Sequence, residues 1–134
     1  MAKFSIIMFS GTADKFIPLG VLADAAAAMG YEVNIFVTGF ALLGFTKEKH
    51  EMPFPSEFNG MQQMLAEGMK ATNTKDWREM LKEAKSVGNV KIYACSLTAS
   101  MFNMKKEQFD DMVDDIVGAA TFLSNSEGGQ VIFI

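Results

Sequence analysis

Val90-Lys91-Ile92-Tyr93-Ala94-Cys95 runs directly into Ser96-Leu97-Thr98-Ala99-Ser100. Residues 90–94 read as a β-strand ending at Cys95, and the small polar residues Ser96, Thr98 and Ser100 mark the turn behind it. Three other stretches have the same character. Residues 4–9 form a nearly continuous apolar run of the kind that a sheet covered on both faces requires. Residues 33–37 and 131–134 read as two more strands.

The segments between them alternate with helical periodicity. Residues 14–29 place Phe16, Leu19, Leu22, Ala23 and Ala26 at helical spacing, and Gly30 supplies a stop. Thr38-Gly39 breaks the second strand before a short buried helix over 40–45. Pro53, Pro55 and Gly60 make residues 46–60 an irregular excursion. Met61, Met64, Leu65 and Gly68 then share one helical face, and Trp77, Met80, Leu81 and Ala84 share another. A long helix is expected over 105–124, with Phe109, Met112, Val113, Ile116, Val117 and Ala120 as its stripe. Strands alternating with helices predict an α/β fold with a mainly parallel central sheet and helices on both faces. The expected architecture is a flavodoxin-like three-layer α/β/α arrangement with flavodoxin-like strand order, in a single domain over 1–134.

Charge and length restrict the function classes. The 12 Lys and Arg residues are scattered among 16 acids for a net charge of -4, so no basic stripe can follow a phosphate backbone and nucleic acid is not an expected partner. The longest apolar stretch, 35–45, falls short of the roughly 20 residues that cross a bilayer. No transmembrane segment or signal peptide is read, and the expected location is the cytoplasm. One cysteine admits no internal disulfide, which suits a reducing compartment and leaves the thiol free.

Cys95 is the candidate catalytic residue. At the carboxyl end of a parallel strand, helix N–H groups favour a thiolate over a thiol. The alternative is a small buried hydrophobe that finishes an apolar strand. Ser10-Gly11-Thr12 follows the first strand as a possible anion-stabilising loop, although it lacks both glycine-rich phosphate motifs and also reads as an ordinary turn. If strands one and three are neighbours, this loop and the Cys95 loop form one pocket. Ser96 and Thr98 are candidate hydrogen-bond donors to the sulfur. His50 stands among Glu48, Lys49 and Glu51 and reads as a solvated histidine rather than a base for Cys95. Asp110, Asp111, Asp114 and Asp115 read as a solvated helix face, so no metal is assigned and no cofactor is implied. The apolar residues between 35 and 80, Trp77, Met61 and Met64 among them, exceed what one core hides, which predicts a homo-oligomer.

Ile6-Ile7-Met8-Phe9-Ser10-Gly11-Thr12-Ala13-Asp14-Lys15, the segment Ala28-Met29-Gly30-Tyr31-Glu32-Val33, the Met-rich middle, and 91–101 together resemble the DsrE/DsrF-like proteins, in particular the branch labelled peroxiredoxin-like. The resemblance spans nearly the whole chain. It implies a flavodoxin-like domain that oligomerises and carries sulfane sulfur as a persulfide, or a thiosulfonate, at the position of Cys95. It also implies transfer between rhodanese-like donors and TusA-like carriers. Many relatives have glycine where Asn103 stands, and some carry extra cysteines that this chain lacks. Two other readings use the same residues. A thiol peroxidase needs the same low-pKa cysteine. A binding module would use the 10–12 loop and the Met-rich face with Cys95 inert.

Overall fold

A computed structural model describes residues 2–48 and 51–134. Strands β1 (Lys3–Met8), β2 (Glu32–Val37), β3 (Asn89–Cys95), β4 (Asp115–Val117) and β5 (Gln130–Phe133) form one sheet in the order β4-β3-β2-β1-β5. Every pairing is parallel. The helices are α1 (Phe16–Ala28), α2 (Gln62–Ala71), α3 (Trp77–Val87), α4 (Ser96–Met101) and α5 (Ala119–Asn125). The architecture is the expected three-layer α/β/α.

The connections explain the layers. From β1 to β4 the chain steps steadily across the sheet, and right-handed crossovers keep α1 and α3 on one face. From β4 it returns to the opposite edge, and the same handedness puts α5 on the other face.

Side-chain alternation divides the core accordingly. Phe4, Ile6 and Met8 of β1, Val33, Ile35 and Val37 of β2, and Val90, Ile92 and Ala94 of β3 bury against Phe16, Leu19, Trp77 and Leu81. Phe16 stacks on Trp77 with ring centroids 4.5 Å apart. On the other face Phe36, Cys95 and Phe122 form a smaller cluster with Ile7, Tyr93 and Val117. That face has thin cover, because α5 contributes one buried side chain, Phe122.

The strand order differs from the expected one. A flavodoxin sheet runs 2-1-3-4-5 and makes β1 a neighbour of β3. Here β2 lies between them and β5 occupies the far side of β1.

The long helix over 105–124 is also replaced. Residues 106–108 form a single 3₁₀ turn, Asp115–Val117 is an edge strand beside Tyr93–Cys95, and α5 begins only at Ala119. The aspartates are the reason. Asp110 Oδ1 accepts the Met112 N–H at 3.0 Å, a local turn that competes with helix. Asp114 Oδ2 accepts the Ile92 N–H at 2.8 Å and pairs with Lys85 Nζ at 2.5 Å. These acids therefore hold a strand against the sheet instead of forming a solvated helix face. Ile116 then packs on the larger core and Val117 on the smaller, the alternation of a strand.

Asn103 takes φ 52 just past α4, in the left-handed region that asparagine tolerates better than most residues. Trp77 is buried, whereas Met61, which caps α2, and Met64 on it are exposed. Among the described residues no helix is long and apolar enough to cross a membrane.

Candidate functional site

Cys95 ends β3 and caps α4, so its position is fixed from both sides. It is 7% exposed and lies on the thinly covered face, where the stacked rings of Phe36 and Phe122 form its floor with centroids 4.8 Å apart.

The neighbouring strand supplies the rest of the site. Because Ala94 pairs with Val37, the Thr38-Gly39 turn after β2 sits beside the Cys95 turn. Thr38 Oγ1 lies 3.2 Å from Thr98 Oγ1. The Gly39 N–H donates to Thr98 Oγ1 at 3.1 Å. Gly39 has φ 58, and a Cβ there would collide with the Phe9 ring, so both the turn and the close approach require glycine.

These groups act on the sulfur. Burial pushes the Cys95 thiol up, but hydrogen bonds from the Thr38 hydroxyl, the Thr98 N–H and hydroxyl, and the Leu97 N–H reverse that effect. The net position is below the ordinary thiol value. All the stabilising groups are neutral. Because Thr98 Oγ1 accepts from Gly39, its own proton is free for the sulfur or for Thr38. The arrangement makes the thiolate easier to form than in an ordinary cysteine, and the thiolate is the form in which cysteine attacks an electrophilic sulfur.

Of the residues expected at the site, Thr98 is beside the sulfur. Ser96 is adjacent in sequence, and its hydroxyl faces Gly118, where a Cβ would stand 3.8 Å away. The 10–12 loop does not neighbour the Cys95 turn through strand pairing, because β2 intervenes. Thr12 Oγ1 instead donates to Asp14 Oδ1 at 2.7 Å, and the Ser10 N–H donates to the Ile134 carbonyl at 3.2 Å. Gly11 lets Phe40 come close, since a Cβ would stand 2.7 Å from Phe40 Cβ. Its link to the site is thus mechanical, through the residue after Gly39. His50 lies outside the described residues. Among those described, no group of His, Cys, Asp and Glu is placed to hold a metal ion.

Thr38, which stands beside Thr98 and acts on the Cys95 thiol, was not among the expected site residues, although the sequence marks a strand break at Thr38-Gly39. A hydroxyl and a glycine at the carboxyl end of the strand next to Cys95 were the available signal. Reading it required the strand order.

The model of the DsrE/DsrF/DrsH-like family matches residues 1–62 and 47–134. The sulfur carrier protein DsrE2 of Allochromatium vinosum is 32% identical, with 98% of each chain covered. The uncharacterized protein YrkE of Bacillus subtilis is 28% identical, with 96% of this chain and 94% of the other covered. Two solved structures, the protein of unknown function MTH1491 from Methanobacterium thermoautotrophicum and the ychN protein from E. coli, each superpose with a TM-score of 0.66 over the full length of both chains. Their identities of 12% and 16% make this a likeness of fold.

Proposed function

This chain belongs to the DsrE/DsrF/DrsH-like family, and on that premise we propose that it works in a sulfur relay, carrying sulfane sulfur as a persulfide on Cys95. The observation that carries the reading is the ring of neutral donors, from Thr38, Leu97 and Thr98, that favours a thiolate at Cys95. The full-length similarity to a relative named a sulfur carrier supports it.

Loading begins with the Cys95 thiolate attacking a sulfane sulfur, so that a new S–S bond forms as the donor's S–S bond breaks and the leaving sulfur departs with the electron pair. The terminal persulfide anion then uses the donors that held the thiolate. Unloading is the reverse attack, by a partner thiolate on the terminal sulfur, and it returns Cys95 as a thiolate. With no second cysteine in the chain the acceptor thiol must come from another molecule. Rhodanese-like donors and TusA-like acceptors fit these two steps, in a homo-oligomer that covers the exposed Met61 and Met64.

Mass spectrometry after incubation with a panel of sulfane-sulfur donors tests the proposal. The Cys95 peptide should gain sulfur and lose it to an added acceptor thiol. Equal labelling of Cys95→Ser would sink the reading, as would no gain with any donor.

A further inference from the structure

Because the five strands run parallel, the segments that follow them gather at one edge of the sheet. Residues 9–13, 38–46, 96–104 and 118–121 contain no Asp, Glu, Lys, Arg or His, and α5 then runs back along the sheet until the Asn125 carbonyl accepts from Lys3 Nζ at the start of β1. Charge resumes only at Asp14, Lys47, Lys105 and Glu127. Although the chain has 21% charged residues, the two turns beside its thiol, 38–46 and 96–104, carry no charged side chain.

The same edge is apolar. Phe133 stacks on Phe9 at 6.0 Å, Phe9 meets Phe40 edge-on at 6.3 Å, and Phe40 stacks on Phe102 at 6.5 Å. Phe133 and Phe40 are 67% and 61% exposed. On α4, immediately after Cys95, Leu97 and Met101 are 68% and 70% exposed, one helical turn apart. Among the described residues no charged group acts on the Cys95 sulfur, and the neutral donors that do are already directed at it.

An anion approaching this edge loses hydration and meets no cation in return. An uncharged sulfur chain loses little hydration and gains contact with aromatic rings, which divalent sulfur favours. Resting on the sulfur-carrier reading, we propose that among small-molecule donors Cys95 is loaded from uncharged sulfane sulfur, a dialkyl polysulfide or ring sulfur, and that this edge discriminates against small anionic donors such as tetrathionate.

The steps balance without a co-reactant. With dimethyl trisulfide the Cys95 thiolate attacks the central sulfur, one outer S–S bond breaks, and methanethiolate leaves with the electron pair and takes a proton from water. Cys95 retains a methyl trisulfide that contains one sulfane sulfur. With cyclooctasulfur the attack opens one ring S–S bond, and the electron pair goes to the far end of the chain as a terminal polysulfide anion.

Stopped-flow rates with dimethyl trisulfide and with tetrathionate test the proposal, each divided by the rate of the same donor with free mercaptoethanol, with adducts located by mass spectrometry. The normalised rate for the trisulfide should exceed that for tetrathionate by about tenfold or more, the scale on which local charge alters encounter rates. Leu97→Lys, a change at an exposed position, should raise the tetrathionate rate about tenfold after correction for thiolate content by iodoacetamide, and salt should remove the gain. Equal normalised rates, or a tetrathionate rate unmoved by Leu97→Lys, would overturn this inference and leave the carrier reading standing. Failure of both donors to modify Cys95 would overturn both.

Discussion

The Gly39 N–H donates to Thr98 Oγ1 at 3.1 Å, joining the turn after β2 to the first turn of α4 across the mouth of the Cys95 site. That bond ties a backbone group of one strand end to a side chain of the next. It orients the Thr98 hydroxyl so that its proton faces the sulfur or Thr38.

Thiolate stability should therefore depend on the two threonines. Burial alone drives the thiol up, and the hydrogen bonds bring it below its ordinary value, so the thiolate forms at lower pH than in a free cysteine. Thr38→Val and Thr98→Val should each move the midpoint of iodoacetamide alkylation to higher pH. At neutral pH the rate should fall about tenfold, the equivalent of one hydrogen bond to a charged group at about 1.5 kcal/mol. An unmoved midpoint would show that the hydroxyls do not act on the sulfur.

Gly39 and Gly30 both have positive φ, 58 and 82, but only Gly39 has a neighbour where a Cβ would go. Gly30→Ala should cost about 1 kcal/mol and Gly39→Ala about 3 kcal/mol, because the second adds a collision with Phe9 to the backbone strain. Urea unfolding measures both. Gly39→Ala should also slow alkylation of Cys95, whereas Gly30→Ala should not.

Phe122 is the one buried side chain of α5 and stacks on Phe36 beside Cys95. Phe122→Ala should cost about 3 kcal/mol. Alkylation should also be faster at high pH, where the thiolate is fully formed and access alone limits the rate. A variant that lost stability with no gain in rate would show that α5 does not cover the thiol.

Asp114 serves two partners, the Ile92 N–H and Lys85. Asp114→Ala leaves both without it and should cost about 2 kcal/mol in urea unfolding. The cost should be near zero if 105–124 were one helix with Asp114 in solvent.

The four longer strands were legible because each is a local, nearly unbroken apolar run, and α1 and α3 because their stripes are helical in period. Residues 105–124 misled for a physical reason. The stripe Phe109, Met112, Val113, Ile116 fits a helix, but Asp114 is held by Ile92 and Lys85, and partners 22 and 29 residues away leave no local trace. Cys95 could be singled out from position alone and Thr98 from its spacing behind it. Thr38 could not, since its place beside Cys95 comes from β2 pairing with β3, a long-range fact. The same fact puts β2 between the strand that leads into the 10–12 loop and the strand that ends at Cys95.

The most direct measurement is the mass of the tryptic peptide 92–105 from protein isolated without reductant, before and after cyanide. The peptide contains Met101 and Met104, and two sulfoxides nearly match the nominal mass of one sulfur atom, so the cyanide step is decisive. Cys95 should carry added mass that cyanide removes with release of thiocyanate, and Cys95→Ser should carry none. Added mass that resists cyanide, or a Cys95 that stays unmodified in the presence of every sulfane donor, would contradict the sulfur-carrier reading.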